Sequence, residues 1–121
     1  QRGVPKAEAQ PDTAIYGAYQ RGDFQVALDG ITPFLKSGSA KSNDYILAGV
    51  CNLKLLKPEA AVNHFLEARR LDPGRYADDL RLYLGLTYTL LNEKEKALEE
   101  LRAYSRKTPA DSKLIEALEK E

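Results

Sequence analysis

Apolar residues recur at spacings of three and four from about Pro11 to the end of the chain. This spacing matches the 3.6-residue period of an α-helix, in which positions three and four apart share one face. Polar residues fill the positions between them, as on the solvent side of an amphipathic helix. No segment sustains the alternation of a half-buried strand. The pattern therefore predicts an all-α protein of about seven helices, each roughly 10 to 15 residues long.

Glycine and short polar residues mark the expected ends of several helices. The motif "RGD" suits a tight turn between two helices, with Gly22 ending the first of them. The stretch "SGSAKSND" supplies a second glycine stop and then three candidate N-cap residues, Ser42, Asn43 and Asp44. These signals predict short connections between the helices.

Three prolines mark further helix starts. The motif "KP" places Pro58 in a first helical turn, where its missing N–H has little effect. The motifs "DPG" and "TPAD" repeat this arrangement with a capping residue before the proline. Thr108 and Asp111 also have the three-residue spacing of a capping box.

The helical segments repeat at a nearly constant interval. In two places a glycine precedes an alanine by twelve residues, and that alanine precedes a large apolar residue by four and a proline by twelve. These residues are Gly49, Ala61, Phe65 and Pro73 in one place and Gly85, Ala97, Leu101 and Pro109 in the other. Ala27 lies thirty-four residues before Ala61, with Ile31 four residues after it. Such self-similarity is typical of stacked helical repeats.

These intervals, seen best in "YLGLTY…NEKEKALEEL…TP", resemble the tetratricopeptide repeat (TPR) family, whose 34-residue unit is an antiparallel pair of helices. The resemblance places a degenerate repeat 1 at 8–41, repeat 2 at 42–75 and repeat 3 at 78–111. Tyr76 and Ala77 are then an insertion that lengthens the first helix of repeat 3. The resemblance implies a right-handed superhelix of helix pairs.

The two ends of the chain complete this prediction. The segment 112–121 continues a C-terminal capping helix, with Leu114, Ile115 and Leu118 on one side to cover the last repeat. The alternative is that this tail is a frayed end. The segment 1–10 is polar, contains glycine and proline, and is expected to be a flexible lead-in.

The resemblance also assigns packing roles. The glycines let the two helices of a pair approach closely, small residues at Ala61 and Ala97 meet them from the other side, and large side chains fill the space around that contact. The repeat-packing set is Ala27, Gly49, Ala61, Phe65, Pro73, Leu84, Gly85, Tyr88, Ala97, Leu101 and Pro109, with Tyr45 alongside.

Several positions depart from the family pattern. Ile15 replaces the packing glycine of repeat 1 and Ser39 replaces its proline, as expected of a degenerate terminal repeat. Asn52 stands in place of a tyrosine, and Thr13 and Arg81 stand in place of a bulky aromatic residue. These substitutions are expected to weaken individual contacts and to leave the spacing intact.

Composition narrows the class of protein further. The formal net charge is +0, so no overall electrostatic attraction favours nucleic acid or an anionic membrane. The local cluster of Arg69, Arg70 and Arg75 is interleaved with aspartates and is expected to be a solvated helix end.

No apolar run approaches the ~20 residues of a membrane-spanning helix. The chain begins at Gln1 and contains no methionine. We therefore expect a processed piece of a longer protein, whose localisation is unknown.

Few residues suggest catalysis. The one histidine, His64, has no nucleophile placed beside it by a motif, and Cys51 is expected to be a small buried residue facing the inside of a helix pair. The two together do not make a zinc site. Pairs such as Glu99 and Glu100 are expected on a solvated face, with Lys96 four residues before Glu100. The sequence predicts no enzyme, no metal and no cofactor.

In the family, the first helix of each repeat lines a concave groove. The resemblance assigns Tyr16, Tyr19, Ile46, Val50, Leu53, Asp79, Leu82, Leu86 and Thr89 to this groove, together with Asp12 and Asn43. The best-known family members hold a peptide carboxylate there with basic residues and asparagine. The matching positions here are Asp12, Tyr16, Asp79 and Tyr83, so that clamp is not expected. The alternative is that Ile46, Val50 and Leu82 are core residues between repeats.

These observations lead to two hypotheses about function. The first is a protein-interaction module, a scaffold or adaptor whose apolar groove takes a peptide or a helix of another protein. The alternative is a self-association or structural domain of a larger, possibly membrane-attached protein. The partner is then another protein or a second copy of the chain, with no nucleic acid and no membrane insertion by this segment.

Overall fold

Seven helices follow one another along the chain in the computed structural model, which describes residues 11–121 and the side chains from Thr13 onward. The prediction of an all-α fold with about seven helices is confirmed, because the described residues contain no strand. The predicted lead-in at 1–10 and the side chain of Asp12 lie outside this description. The helices are α1 Pro11–Gln20, α2 Phe24–Lys36, α3 Ser42–Lys54, α4 Pro58–Leu71, α5 Ala77–Leu90, α6 Lys94–Ala103 and α7 Pro109–Lys120.

Each helix packs against the next one along the chain, from α1 on α2 to α6 on α7. Two apolar clusters result. One joins α1 and α2 to Leu47, Ala48 and Cys51 of α3, and the other joins Val50 of α3 to α4, α5, α6 and Leu118 of α7. The helix α3 therefore contributes side chains to both clusters. Cys51 packs toward α1 and α2, and not inside the α3–α4 pair where the sequence placed it.

The three turns that close the pairs α1–α2, α3–α4 and α5–α6 have the same backbone geometry. Each has one residue with positive φ: Gly22 at 84°, Leu56 at 60° and Asn92 at 58°. In each turn the next residue's N–H donates to the carbonyl five residues earlier. These bonds are Asp23 N to Ala18 O, Lys57 N to Asn52 O and Glu93 N to Tyr88 O, at 2.9, 2.8 and 2.9 Å. This is the hydrogen bond of a Schellman helix end.

The two predicted packing glycines lie opposite large side chains. A Cβ built on Gly49 would be 2.5 Å from Cε1 of Phe65, and one on Gly85 would be 2.5 Å from Cγ of Leu101. The glycines therefore make room for Phe65 and Leu101. Ala61 and Ala97, the small residues that the sequence assigned to the same crossings, are fully buried.

The first pair reverses this arrangement. Here the large residue, Ile15, is on the first helix, and a Cβ built on Gly30 of α2 would be 2.9 Å from Cγ1 of Ile15. The replacement of the packing glycine by Ile15 is thus matched by a glycine on the partner helix. The sequence analysis did not identify Gly30.

The rest of the repeat-packing set divides into buried side chains and prolines. Ala27 and Leu84 are fully buried, and Tyr88 is 9% exposed. Pro73 and Pro109 are exposed, so their assignment to packing is wrong. Pro73 lies in the turn before α5, and Pro109 is the first residue of α7. Prolines suit these places because neither position needs a backbone N–H inside a helix.

The predictions of where helices start are confirmed in part. Thr108 and Asp111 form the predicted capping box, with Asp111 N donating to Thr108 Oγ1 at 3.2 Å and Thr108 N donating to Asp111 Oδ2 at 2.8 Å. The helix α3 instead begins after Lys41, whose N–H donates to Asp44 Oδ2 at 2.9 Å. Ser42 is buried, and its hydroxyl donates to Ala68 O at 2.8 Å, so it joins α3 to the end of α4.

The turn before α5 also differs from the prediction. Asp72 accepts from the backbone N–H groups of Gly74 and Arg75, at 3.3 and 3.1 Å, and so orders a turn before the helix. The helix α5 begins only at Ala77, and it is one residue longer than α3. The insertion at Tyr76 and Ala77 therefore adds one helical residue and one turn residue.

Candidate functional site

A cavity of about 300 Å³ lies between α1, α3 and the start of α5. These are the first helices of the three predicted repeats. We refer to it as the tyrosine cavity, because four tyrosines line it. Its lining residues are Tyr16, Tyr19, Asn43, Ile46, Leu47, Val50, Tyr76, Asp79 and Tyr83.

Six of the predicted groove residues meet at this cavity: Tyr16, Tyr19, Asn43, Ile46, Val50 and Asp79. Val50 is only 8% exposed and also belongs to the larger apolar cluster, so it lines the cavity and is part of the hydrophobic core as well. Tyr76 and Leu47 were not predicted. Tyr76 is part of the insertion and has no counterpart in the repeat pattern, so the pattern alone contains no signal for it.

The other four predicted groove residues lie elsewhere. Leu53 and Leu82 are half-buried and pack against the larger apolar cluster. Leu86 is half-buried and is not among the residues lining the cavity. The hydroxyl of Thr89 donates to Gly85 O at 2.8 Å, and Thr89 lines a separate cavity of about 230 Å³ beside Leu118. None of these four residues lines the tyrosine cavity.

Aromatic contacts hold two of the cavity's rings. Tyr83 stacks on the buried ring of Phe65, with centroids 5.4 Å apart and planes 10° apart. Tyr19 meets Phe24 edge to face at 5.8 Å. Such contacts limit the rotation of the rings. Burial raises the pKa of Tyr83, and the nearby Tyr19 and Asp79 raise it further, so the hydroxyl stays protonated near neutral pH.

One acidic side chain, Asp79, lies in the wall of the cavity. Its Oδ1 accepts a hydrogen bond from Arg106 Nη2, and Arg106 Nε also donates to Asp78 Oδ2 at 2.9 Å. Ser105 donates to Asp78 through both its backbone N–H and its hydroxyl, each at 2.8 Å. The backbone N–H of Ser105, followed by the Ser105 hydroxyl and Arg106, lowers the pKa of Asp78. The turn after α6 therefore holds the first turn of α5 in place.

A second cavity, of about 310 Å³, adjoins the first. Asn43 and Tyr76 line both of them. The second cavity is more polar, and its other lining residues are Ala40, Lys41, Ser42, Leu71, Asp72 and Arg75. The Arg75 guanidinium lies over the Tyr76 ring, 5.7 Å from its centroid. An extended chain that left the tyrosine cavity past Asn43 and Tyr76 would meet polar and charged side chains.

The two residues considered for catalysis occupy structural positions. Cys51 is fully buried, and burial raises the pKa of its thiol, which disfavours the thiolate. His64 is half-buried, and Nδ2 of Asn52 lies 3.0 Å from its Nδ1. Asn52 Nδ2 also donates to Ala48 O at 3.0 Å, so the two hydrogens of this nitrogen go to Ala48 O and to His64 Nδ1. In this arrangement His64 Nδ1 is the acceptor, and burial lowers the pKa of the ring.

Glu100 was predicted on a solvated face, and this is wrong. It is 6% exposed and accepts hydrogen bonds from two arginines on other helices. Arg69 of α4 donates to both of its oxygens, at 2.8 and 3.1 Å, and Arg81 of α5 donates to Oε1 at 3.0 Å. Arg69 is consequently not a freely solvated helix end. Lys96 pairs with Glu93 at 3.4 Å.

No cluster of metal-ligating side chains, meaning three or more of His, Cys, Asp and Glu, occurs among the described residues. Within 11–121, no helix is both long and apolar enough to cross a membrane. No protein-family model matches the chain, and a search of curated proteins found no significant match. The geometry of the tyrosine cavity is therefore the basis on which a function can be proposed.

Proposed function

We propose that the chain is a TPR-like repeat domain that acts as a protein-interaction module, a scaffold or adaptor without catalytic activity. In this proposal a peptide or helix of the partner lies across α1, α3 and α5 and inserts a side chain into the tyrosine cavity. The repeated backbone geometry of the three turns supports the repeat interpretation. Gly22, Leu56 and Asn92 are separated by 34 and 36 residues, the spacing of the sequence repeat with its insertion.

The cavity is the observation that carries the functional proposal. It is concave and mostly apolar, and Asn43, Asp79 and the tyrosine hydroxyls supply a few polar groups. This combination is typical of binding sites, where apolar walls provide affinity and sparse polar groups fix orientation. Tyrosine is also enriched in protein interfaces, because it offers a large contact area together with a hydrogen-bonding group.

A carboxylate clamp is not part of the proposal. Of the side chains from Thr13 onward, those that line the tyrosine cavity include no lysine and no arginine. A partner's terminal carboxylate would meet Asp79 there, and like charges in a partly buried site repel each other. Apolar and aromatic contacts are therefore the main source of affinity in this proposal.

A capture experiment with two variants tests the proposal. Ile46→Lys places a charge in the wall of the tyrosine cavity, and Leu90→Lys places the same charge on an exposed residue at the end of α5. Circular dichroism and thermal melting establish that both variants fold. We expect partners retained by the wild type to be retained by Leu90→Lys and lost by Ile46→Lys.

Two results would contradict the proposal. If all three proteins capture the same partners, the cavity is not the interaction site. If the wild type forms a stable dimer in sedimentation equilibrium and Ile46→Lys is a monomer, the cavity is occupied by a second copy of the chain. The self-association alternative would then replace the adaptor.

A further inference from the structure

We infer that the tyrosine cavity binds a basic side chain, lysine or arginine, of the partner segment. This inference rests on the proposed function and specifies which residue of the partner occupies the cavity. Two independent features of the cavity lead to it, the aromatic faces and the sign of its charge.

The aromatic rings make the walls of the cavity favourable for a cation. Four of the nine lining residues are tyrosines, and the face of an aromatic ring carries partial negative charge. A cation within about 6 Å of such a face is attracted to it, and the attraction is stronger when the site excludes water. Phe65 covers one face of the Tyr83 ring. That ring is held in place and lines the cavity.

The charge of the residues that line the cavity favours the same sign; Arg75, whose guanidinium lies over the Tyr76 ring, lines the adjoining cavity. Among the described residues that line the cavity, Asp79 is the one acid and none is basic. Arg106 binds Asp79 through Oδ1 only and shares its guanidinium with Asp78, so two carboxylates face one arginine. No described residue donates a hydrogen bond to the second oxygen of Asp79, Oδ2. A lysine or arginine of a partner would find a carboxylate acceptor at that oxygen.

The size of the cavity fits one long side chain. Its volume of about 300 Å³ is at the lower end of the range for ligand sites, about 300–1,000 Å³. The apolar walls from Ile46, Leu47 and Val50 suit the methylene stem of lysine or arginine. The charged end would then lie between the tyrosine rings and Asp79.

Selection from a phage-displayed library of random short peptides on the immobilised domain tests the inference. We expect the retained peptides to share lysine or arginine at one fixed position. Binding of a selected synthetic peptide is then followed by tyrosine fluorescence, since the chain has seven tyrosines and no tryptophan. Replacing the shared basic residue of the peptide by glutamine should weaken binding by about tenfold or more.

Two variants of opposite effect separate the charge of Asp79 from its structural role. Asp79→Asn keeps the shape and removes the charge, and should weaken binding of the basic peptide by about tenfold. Arg106→Gln removes the competing guanidinium and leaves Asp79 in place, so it should strengthen binding. If Asp79 matters only because it anchors Arg106, both variants will weaken binding. Glu99→Gln, an exposed acid on α6, should leave binding unchanged.

The outcomes distinguish this inference from the proposed function. If selected peptides bind the cavity but share no basic position, the inference is wrong and the interaction module remains. If no peptide is retained above background, peptide binding itself is contradicted. If both Asp79→Asn and Arg106→Gln weaken binding, the carboxylate acts as a structural anchor and the inference is overturned.

Discussion

The α1–α2 pair and the two pairs that follow it solve the same packing problem in opposite ways. In α3–α4 and α5–α6 the glycine is on the first helix and a large side chain on the second, as in Gly49 with Phe65. In α1–α2 the large residue is Ile15 on the first helix and the glycine is Gly30 on the second. Close helix approach requires one small residue at the crossing, and either helix can supply it.

The junctions between successive pairs differ as well. Apolar side chains form the α2–α3 junction, with Ile31 and Cys51 fully buried and the Lys54 ammonium 5.9 Å from the centre of the Phe24 ring. The α4–α5–α6 junction also contains the Glu100 carboxylate between Arg69 and Arg81. A buried carboxylate requires its partners, whereas apolar contacts tolerate rearrangement. The two ends of the domain should therefore respond differently to substitution.

The largest effect is expected from Glu100→Ala. It leaves Arg69 and Arg81 without their shared partner in a partly buried place. Removing one member of a fully buried ion pair costs about 3–5 kcal/mol, but both arginines are about a third exposed, so we expect about 2–3 kcal/mol here. Urea unfolding measures this change. Glu119→Ala, which breaks the exposed pair with Arg102, should change the free energy of unfolding by less than about 0.5 kcal/mol. Equal costs for the two would contradict a special role of Glu100.

A second comparison concerns the glycines. Gly49→Ala places a Cβ against the fully buried ring of Phe65, and overpacking of about 2–3 kcal/mol exceeds the ~1 kcal/mol gain in helix propensity. We expect a net loss of about 1–2 kcal/mol in thermal or urea unfolding. Gly30→Ala makes a less severe contact, 2.9 Å from Cγ1 of the buried Ile15, and the gain in helix propensity offsets more of its cost, so it should remain within about 0.5 kcal/mol of wild type.

A double-mutant cycle tests the cause of the Gly49→Ala effect. Phe65→Leu leaves space next to residue 49, so it should reduce the additional cost of Gly49→Ala. Strict additivity of the two substitutions would show that the added Cβ does not act through the Phe65 ring.

In the turns that close the helix pairs, two substitutions should change the stability by smaller amounts and in opposite directions. Leu56 has φ of 60° and is 79% exposed, so its side chain buries little area while its backbone is strained. We expect Leu56→Gly to stabilise the domain by about 0.5–1 kcal/mol, and Gly22→Ala to destabilise it by about 1 kcal/mol. Differential scanning calorimetry should give shifts of the melting temperature in opposite directions. A loss of stability in Leu56→Gly would indicate that the leucine side chain contributes more than its exposure suggests.

The smallest effect concerns His64 and pH. Burial lowers the pKa of the folded ring below the unfolded value of about 6.5, so the unfolded chain binds the proton first on acidification. Stability from this group is therefore complete above about pH 6.5 and falls as the pH approaches the lower, folded value. Protonation at Nδ1 would also break the hydrogen bond from Asn52.

The control for this effect is His64→Gln. Urea unfolding of the two proteins between neutral and mildly acidic pH isolates the histidine, because the other ionisable groups are shared. We expect the wild type to lose more stability on acidification than the variant. Parallel pH profiles would contradict the lowered pKa.

Local sequence signals were sufficient for the helices. The spacing of apolar residues predicted seven helices, and Gly22, Pro58 and the Thr108 capping box marked ends that the structure confirms. These features depend on residues close in the chain. The signals were less accurate where several capping residues follow one another, as at 42–44. There the helix begins at Ser42, whose hydroxyl donates to Ala68 O of α4, a residue distant in the sequence.

The candidate site was predicted in part. A resemblance that assigns faces to the first helix of each pair identified Tyr16, Tyr19, Ile46, Val50 and Asp79, because the side chains on one helix face follow from its period. The resemblance could not distinguish these residues from Leu86 or Thr89. Which part of the groove forms a cavity depends on the angles between the helices, and the period of a single helix does not determine those angles. Tyr76 belongs to the insertion, where no repeat position applies.

By itself the sequence determined the all-α class, the number and approximate ends of the helices, and the interval at which small and large residues recur. Only the tertiary structure decided which residues face each other. Ile15 with Gly30, Asn52 with His64, and Arg81 with Glu100 are pairs in which one member looked like a departure from the pattern. Each partner lies on another helix, so its position depends on the crossing geometry, which the period along a single helix does not contain.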